Sequence, residues 1–133
     1  MAEARAAARA SRGSAYRHGI PAMPTRYHRL FADDAVRIGA HAWRVIIGHG
    51  HAPEHASLYC EALGVLIAGD MLLPRISTNI SVYAATPHDD PLGRFLDSIR
   101  EISDLPDDTL VLPSHGKPFK GIRSRVDQLV EHH

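Results

Sequence analysis

Three side chains with metal-binding chemistry each follow a short apolar segment of the sequence: His55, Asp70 and His115. In open α/β sheets, functional groups collect beyond the carboxyl ends of the strands, so we expect these three side chains to converge although they are far apart in the chain. Two imidazoles and one carboxylate are ligands that suit Zn²⁺, and Fe or Mn with less preference. The sequence therefore predicts a metal site at one edge of a sheet.

The densest histidine cluster is the run GHGHAPEH over residues 48–55, which holds three of the ten histidines of the chain. Residues 51–55 spell H-x-x-E-H, a zinc-binding pattern that works only when both histidines share one face of a helix. Pro53 stands in the middle of the pattern, and proline removes a helix hydrogen bond and clashes with the preceding turn. We therefore interpret the run as a loop after a strand, with His51, Glu54 and His55 as candidate site residues.

The sequence offers no convincing side-chain nucleophile. Cys60, the only cysteine, lies inside an apolar segment, where a free cysteine is usually an inert small hydrophobe. The G-x-S-x-G, P-loop and G-x-G-x-x-G patterns are all absent from the sequence. A single cysteine also excludes a disulfide framework and favours a reducing compartment, so we expect a cytoplasmic protein.

The elements that must position these residues are short strands and two helices late in the chain, with one strand between the helices. Asp90-Pro91 is typical of a helix start, with Asp as the N-cap and Pro at the first helical position. Pro106 predicts the end of that helix, and residues 122–130 predict a second amphipathic helix. Segment 65–68 (VLIA) is apolar at every position, which predicts a strand buried on both faces. The other predicted strands cover 35–38, 43–47, 57–61 and 109–112, and the whole pattern predicts an α/β layered fold.

Residues 1–29 differ in composition from the rest of the chain. Residues 2–12 are Ala- and Arg-rich helix formers, and Pro21 and Pro24 predict an extended linker before a compact domain over 30–133. This segment holds six Arg and one Glu, so phosphate contacts are an alternative to the simpler interpretation of a solvated helix. The formal net charge of the whole chain is zero, and no apolar run approaches the ~20 residues of a membrane span. We therefore expect neither nucleic acid nor a membrane as partner.

The three candidate segments together resemble a known family. The run GHGHAPEHASLY over 48–59, then Gly69-Asp70, then the PSHG loop over 113–116 are similar, in order and spacing, to the second half of the metallo-β-lactamase superfamily. The similarity is strongest to its glyoxalase II-like hydrolases. The resemblance implies the C-terminal half of an αββα sandwich, with a mixed sheet and two packed helices over residues 30–133.

The resemblance also implies roles for individual residues. His55 matches a ligand of the first metal, Asp70 matches the carboxylate that bridges two metals, and His115 matches a ligand of the second metal. His51 matches a histidine that orients such ligands by hydrogen bonding, and Glu54 stands where the family usually has Gly. In the family, two metal ions lower the pKa of a bound water, which attacks the carbonyl of a small-molecule thioester, ester or lactam.

One family motif has no counterpart. Residues 1–48 contain nothing that can serve as H-x-H-x-D-H, which supplies about half of the family's metal ligands. A metal held by one or two ligands binds far more weakly than one held by three or four. We therefore expect a C-terminal fragment that begins at an internal Met and has little or no activity alone. The alternative is a non-catalytic pseudoenzyme or interaction module that associates through the exposed apolar face of its half-sandwich.

Overall fold

The computed structural model describes residues 19–82 and 86–133, and the predicted helix over 2–12 lies outside this part of the chain. The described residues form five strands and two helices. In chain order these are β1 (Ala35–Ile38), β2 (His41–Gly48), β3 (His55–Cys60), β4 (Val65–Gly69), α1 (Pro91–Ile102), β5 (Leu110–Pro113) and α2 (Ile122–His132).

The five strands form one mixed sheet in the order β1-β2-β3-β4-β5. The first four strands pair antiparallel as neighbours in sequence, whereas β5 pairs parallel to β4. Parallel strands need a crossover, and α1 lies within it. The carboxyl ends of β4 and β5 consequently meet at the same edge of the sheet, at the pair Gly69 and Pro113. The predicted α/β class and mixed sheet are confirmed.

Helix α1 begins where the sequence predicts. The carboxylate of Asp90 accepts a hydrogen bond from the Gly93 amide at 2.9 Å, and Pro91 occupies the first turn, where its missing N–H costs nothing. The helix ends at Ile102, four residues before Pro106, so the prediction that the proline terminates it is wrong. The chain leaves the helix at Ser103, whose amide donates to the Ile99 carbonyl at 3.0 Å.

Both helices pack on one face of the sheet. Tyr59 pairs with Leu66 and Leu66 with Val111, so these three side chains share that face. They are buried against the inner sides of α1 and α2, from which Phe95, Ile99, Ile102, Ile122, Val126 and Leu129 contribute. Burial of such apolar side chains is the main stabilising contribution in a layered fold.

The opposite face of the sheet carries a continuous apolar row. Val45 pairs with Leu58, Leu58 with Ile67, and Ile67 with Leu112. Ile67, in the middle of this row, is 38% exposed, whereas its neighbour Leu66 on the helical face is fully buried. The prediction that segment 65–68 is buried on both faces is therefore wrong at Ile67, because both helices cover the other side.

None of the helices within 19–82 and 86–133 is both long enough and apolar enough to cross a membrane.

Candidate metal centre

Asp70 is the centre of the candidate site. Its Oδ2 lies 3.2 Å from His51 Nε2, and its Oδ1 lies 3.4 Å from His115 Nε2. The hydroxyl of Ser114 donates a short hydrogen bond to the same Oδ1. Residues from three places in the chain, the loop after β2, the end of β4 and the end of β5, therefore converge on one carboxylate.

The surroundings of Asp70 favour its ionised form. The pKa of Asp70 is lowered, chiefly by the hydrogen bond from Ser114; burial acts next, in the opposite direction, and the nearby imidazoles of His51, His115 and His55 each lower the pKa by less. An ionised carboxylate with two oxygens facing different imidazoles is an acceptor for protons or a ligand for cations on both sides.

His55 does not lie in the loop, as the sequence suggested, but is the first residue of β3, paired with Gly48 of β2. Its Nε2 accepts a long hydrogen bond of 3.4 Å from the Asp70 amide. Its Nδ1 is buried and has no partner among the described residues. The pKa of His55 is lowered, chiefly by burial and then by His51, which favours the neutral imidazole that metals require.

The orientation of His51 follows from a backbone contact. Its Nδ1 lies 2.8 Å from the carbonyl oxygen of Asn79, an atom that only accepts hydrogen bonds, so Nδ1 carries the proton. In the neutral tautomer, Nε2 then presents a lone pair to the carboxylate of Asp70, and the two would repel. A second proton or a cation between the two atoms removes that repulsion, and this fixed tautomer is the usual arrangement of a metal-binding histidine.

Gly69 permits the close approach of His55 to the end of β4. It has φ +56°, and a Cβ atom at this position would lie 2.7 Å from His55 Nε2. Any other residue would therefore displace the imidazole and also strain the backbone. The glycine before Asp70 is a requirement of the site's geometry.

Glu54 and the H-x-x-E-H pattern take no part in this cluster. The side chain of Glu54 is exposed and forms no hydrogen bond within the described residues. Residues 51–54 form bends rather than a helix, which confirms the interpretation of the run as non-helical. Cys60 is free and fully buried, as expected for a structural cysteine.

The contacts of Ser114, Thr78 and Asn79 were not predicted. Thr78 donates from Oγ1 to the Asp70 carbonyl at 2.6 Å, next to the carbonyl of Asn79 that orients His51. Ser114 could have been identified from the sequence, because it directly precedes His115 in the PSHG loop. The sequence around Thr78 contains no comparable motif, since its proximity to Asp70 arises only from the path of the loop after β4.

The separations within pairs of these residues fit two ligands of one metal ion, but the described residues do not provide a complete set of ligands. Two ligands of one tetrahedral Zn²⁺, each at about 2.0–2.1 Å, lie about 3.3 Å apart. The separations of Asp70 from His51 and His115 agree with this value and equally with direct hydrogen bonds. Within 19–82 and 86–133, however, no three His, Cys, Asp or Glu side chains are grouped so that they hold one metal ion.

This chain is similar in sequence and fold to several known proteins. Residues 3–115 match the sequence profile of the metallo-beta-lactamase superfamily. A beta-lactamase domain protein from Burkholderia ambifaria has 56% identity and a TM-score of 0.82, over 89% of this chain and 37% of that one. A metallo-beta-lactamase family protein from Thermus thermophilus has 31% identity and a TM-score of 0.75, over 95% of this chain and 45% of that one.

A curated relative is similarly longer than this chain. The probable metallo-hydrolase YqjP of Bacillus subtilis is 33% identical over 93 residues, which are 68% of this chain and 29% of that protein. The chain belongs to the metallo-β-lactamase superfamily, whose members typically bind metal ions. It spans about a third of the length of the curated relative.

Proposed function

We propose that this chain forms part of a metal-dependent hydrolase of the glyoxalase II-like type, which cleaves a small-molecule ester, thioester or lactam. The observation that carries the proposal is the carboxylate of Asp70, whose two oxygens face imidazole Nε2 atoms from two different loops. We assign His55, Asp70 and His115 as metal ligands, as the family resemblance implies. Zinc suits this donor set best, and Fe or Mn are alternatives.

A bound metal would supply a water of lowered pKa as nucleophile. The chain's own residues position the ligands. Ser114 holds one oxygen of Asp70, and the Asn79 carbonyl fixes the tautomer and ring orientation of His51. His51 Nε2 lies 3.2 Å from Oδ2 of Asp70, so we propose that it positions this carboxylate through a cation held between the two atoms.

We further propose that the chain alone binds metal weakly and turns over little substrate. This proposal is supported by the lack of a three-ligand group in the described residues and by the missing H-x-H-x-D-H motif. The single buried thiol of Cys60 supports the cytoplasm as its compartment.

A second candidate function is a non-catalytic interaction module. It is favoured by the apolar row on the sheet face opposite the helices, where Ile67 is 38% exposed. Such a face is suited to association with another apolar surface.

Metal binding tests the principal proposal. We expect zinc titration calorimetry to show binding by the wild type and a loss of at least about tenfold in affinity for Asp70→Ala, because the variant removes the central carboxylate. Asp108→Ala is the matched control, since Asp108 is an exposed carboxylate outside the site. Equal zinc affinity in the wild type and Asp70→Ala would refute the assignment of the site.

A further inference from the structure

A groove of about 620 Å³ opens beside His115. It lies between the loop over residues 74–76, which follows β4 and Asp70, and the loop over residues 115–119, which follows β5. Its volume is within the range of about 300–1,000 Å³ typical of small-molecule sites. The groove therefore starts at the candidate metal centre and has room for a group attached to the reacting carbonyl.

The groove combines an apolar lining with two cations. Ile76, which is 59% exposed, and Phe119 provide apolar surface. Each loop contributes one positive charge, Arg75 from the first and Lys117 from the second. In the part of the chain that the structure describes, no acidic side chain lies within 4.0 Å of either charged group. An apolar channel with two uncompensated cations is complementary to an apolar chain that bears an anion.

The two loops touch at the base of the groove. Gly116 has φ +85°, and a Cβ atom there would lie 2.7 Å from Cγ of Pro74. The absence of a side chain at Gly116 thus lets the second loop pack directly against the first. This contact sets the separation of the loops next to His115.

Each loop is also fixed to the body of the fold. Arg125 of α2 donates from Nε to the Leu73 carbonyl at 2.7 Å and from Nη2 to the Ile76 carbonyl at 3.1 Å. Phe119 forms an isolated antiparallel bridge with Val111 of β5, with hydrogen bonds of 2.8 and 3.1 Å. The groove is therefore preformed, which lowers the entropic cost of binding a ligand there.

We propose that this groove selects the substrate. It binds an apolar acyl chain whose far end carries an anionic carboxylate or phosphate group, and Arg75 and Lys117 are the specificity-determining residues. The anion pairs with the two cations, the chain lies on Ile76 and Phe119, and the scissile carbonyl is directed towards His115 and Asp70. This inference rests on the proposed function, because the molecule bound in the groove is a substrate only if the centre around Asp70 supports its hydrolysis.

The inference is tested by binding to the full chain without added metal. ¹⁵N-labelled protein is titrated with hexanoate, hexyl phosphate and 1-hexanol, and the amide signals of Ile76, Gly116 and Lys117 are followed by NMR. We expect the better of the two anions to bind about fivefold more tightly than the alcohol, the size of effect that an exposed ion pair provides. The preferred anion identifies the end group as carboxylate or phosphate.

Variants locate the effect in the groove. The double variant Arg75→Gln with Lys117→Gln should bind the anions and the alcohol equally. Lys120→Gln is the matched control, because Lys120 is an exposed lysine three residues from Lys117 that does not line the groove. It should keep the wild-type preference, and unchanged amide dispersion shows that each variant is folded.

The outcomes separate this inference from the proposed function. Equal binding of hexanoate, hexyl phosphate and hexanol to the wild type would overturn the inference, even if zinc binds at Asp70. A preference for anions that survives in the double variant would overturn the roles of Arg75 and Lys117. A preference for anions in a protein whose zinc affinity is the same with and without Asp70→Ala would instead overturn the assigned metal site, and with it the assignment of the groove to a substrate.

Discussion

At the scale of single residues, Gly69 and Gly64 show how differently two glycines with similar backbones contribute. Gly69 has φ +56° and Gly64 has φ +63°, so a side chain strains the backbone at both positions. A Cβ atom at Gly69 would meet His55 at 2.7 Å, whereas nothing lies within 4 Å of one at Gly64. The two positions therefore separate backbone strain from disturbance of the site.

We predict that Gly69→Ala and Gly64→Ala both lower the free energy of unfolding by about 1–2 kcal/mol, because both place a side chain in the left-handed region. Only Gly69→Ala should also reduce zinc affinity, since it displaces the His55 imidazole. Urea denaturation measures the first effect and calorimetric zinc titration the second. Unaltered zinc affinity in Gly69→Ala would show that the position of His55 does not matter for the metal.

The residue types of the candidate site could be predicted, but their contacts could not. His55, Asp70 and His115 stand next to strand ends in the sequence, and His51 and Glu54 lie in the same histidine-rich run. The approach of His51 to Asp70 depends on Asn79, 28 residues away in the chain, and no local pattern encodes a contact of that separation.

At the scale of elements, α1 is the best-predicted part of the fold because its start depends on adjacent residues. Asp90 and Pro91 supply the cap and the first turn without help from tertiary structure. The parallel pairing of β4 with β5 is determined instead by packing against α1 and α2, so periodicity alone does not identify it. The exposure of Ile67 has the same origin, since which face the helices cover is a tertiary property.

The N-cap of α1 contributes measurably to the free energy of unfolding. We predict that Asp90→Ala lowers the free energy of unfolding by about 1 kcal/mol, because the Gly93 amide loses its acceptor. Asp89→Ala is the control: among the described residues, the Asp89 side chain makes only a 3.9 Å exposed contact with Arg94, and such surface pairs contribute little. Urea denaturation distinguishes them, and equal effects of both variants would exclude a capping role for Asp90.

At the scale of the whole molecule, the two faces of the sheet differ in their coverage. The helical face buries Leu66 completely, while Ile67 on the other face remains 38% exposed within the row from Val45 to Leu112. Val45, at one end of the row, is fully buried, so the accessible apolar surface is centred on Ile67.

The exposure of Ile67 in the middle of this row is the basis for a prediction of self-association. We expect multi-angle light scattering to show a mass that rises with concentration for the wild type, and a substantially smaller rise for Ile67→Lys, which places a charge in the middle of the row. Leu63→Lys is the control, because Leu63 is 49% exposed in the turn between β3 and β4 and lies outside the row. A wild type that stays monomeric at every concentration would count against the interaction-module alternative.

The contact between Asp70 and Ser114 joins residues 44 positions apart. Bringing the ends of a chain segment of that length together costs about 3 kcal/mol of loop-closure entropy. Every interaction between Asp70 and the loop after β5, whether a hydrogen bond or a ligand shared by Asp70 and His115, therefore stabilises the closed conformation of the crossover that contains α1. Occupation of the site and attachment of β5 to the sheet are therefore thermodynamically linked, so that whatever strengthens one strengthens the other.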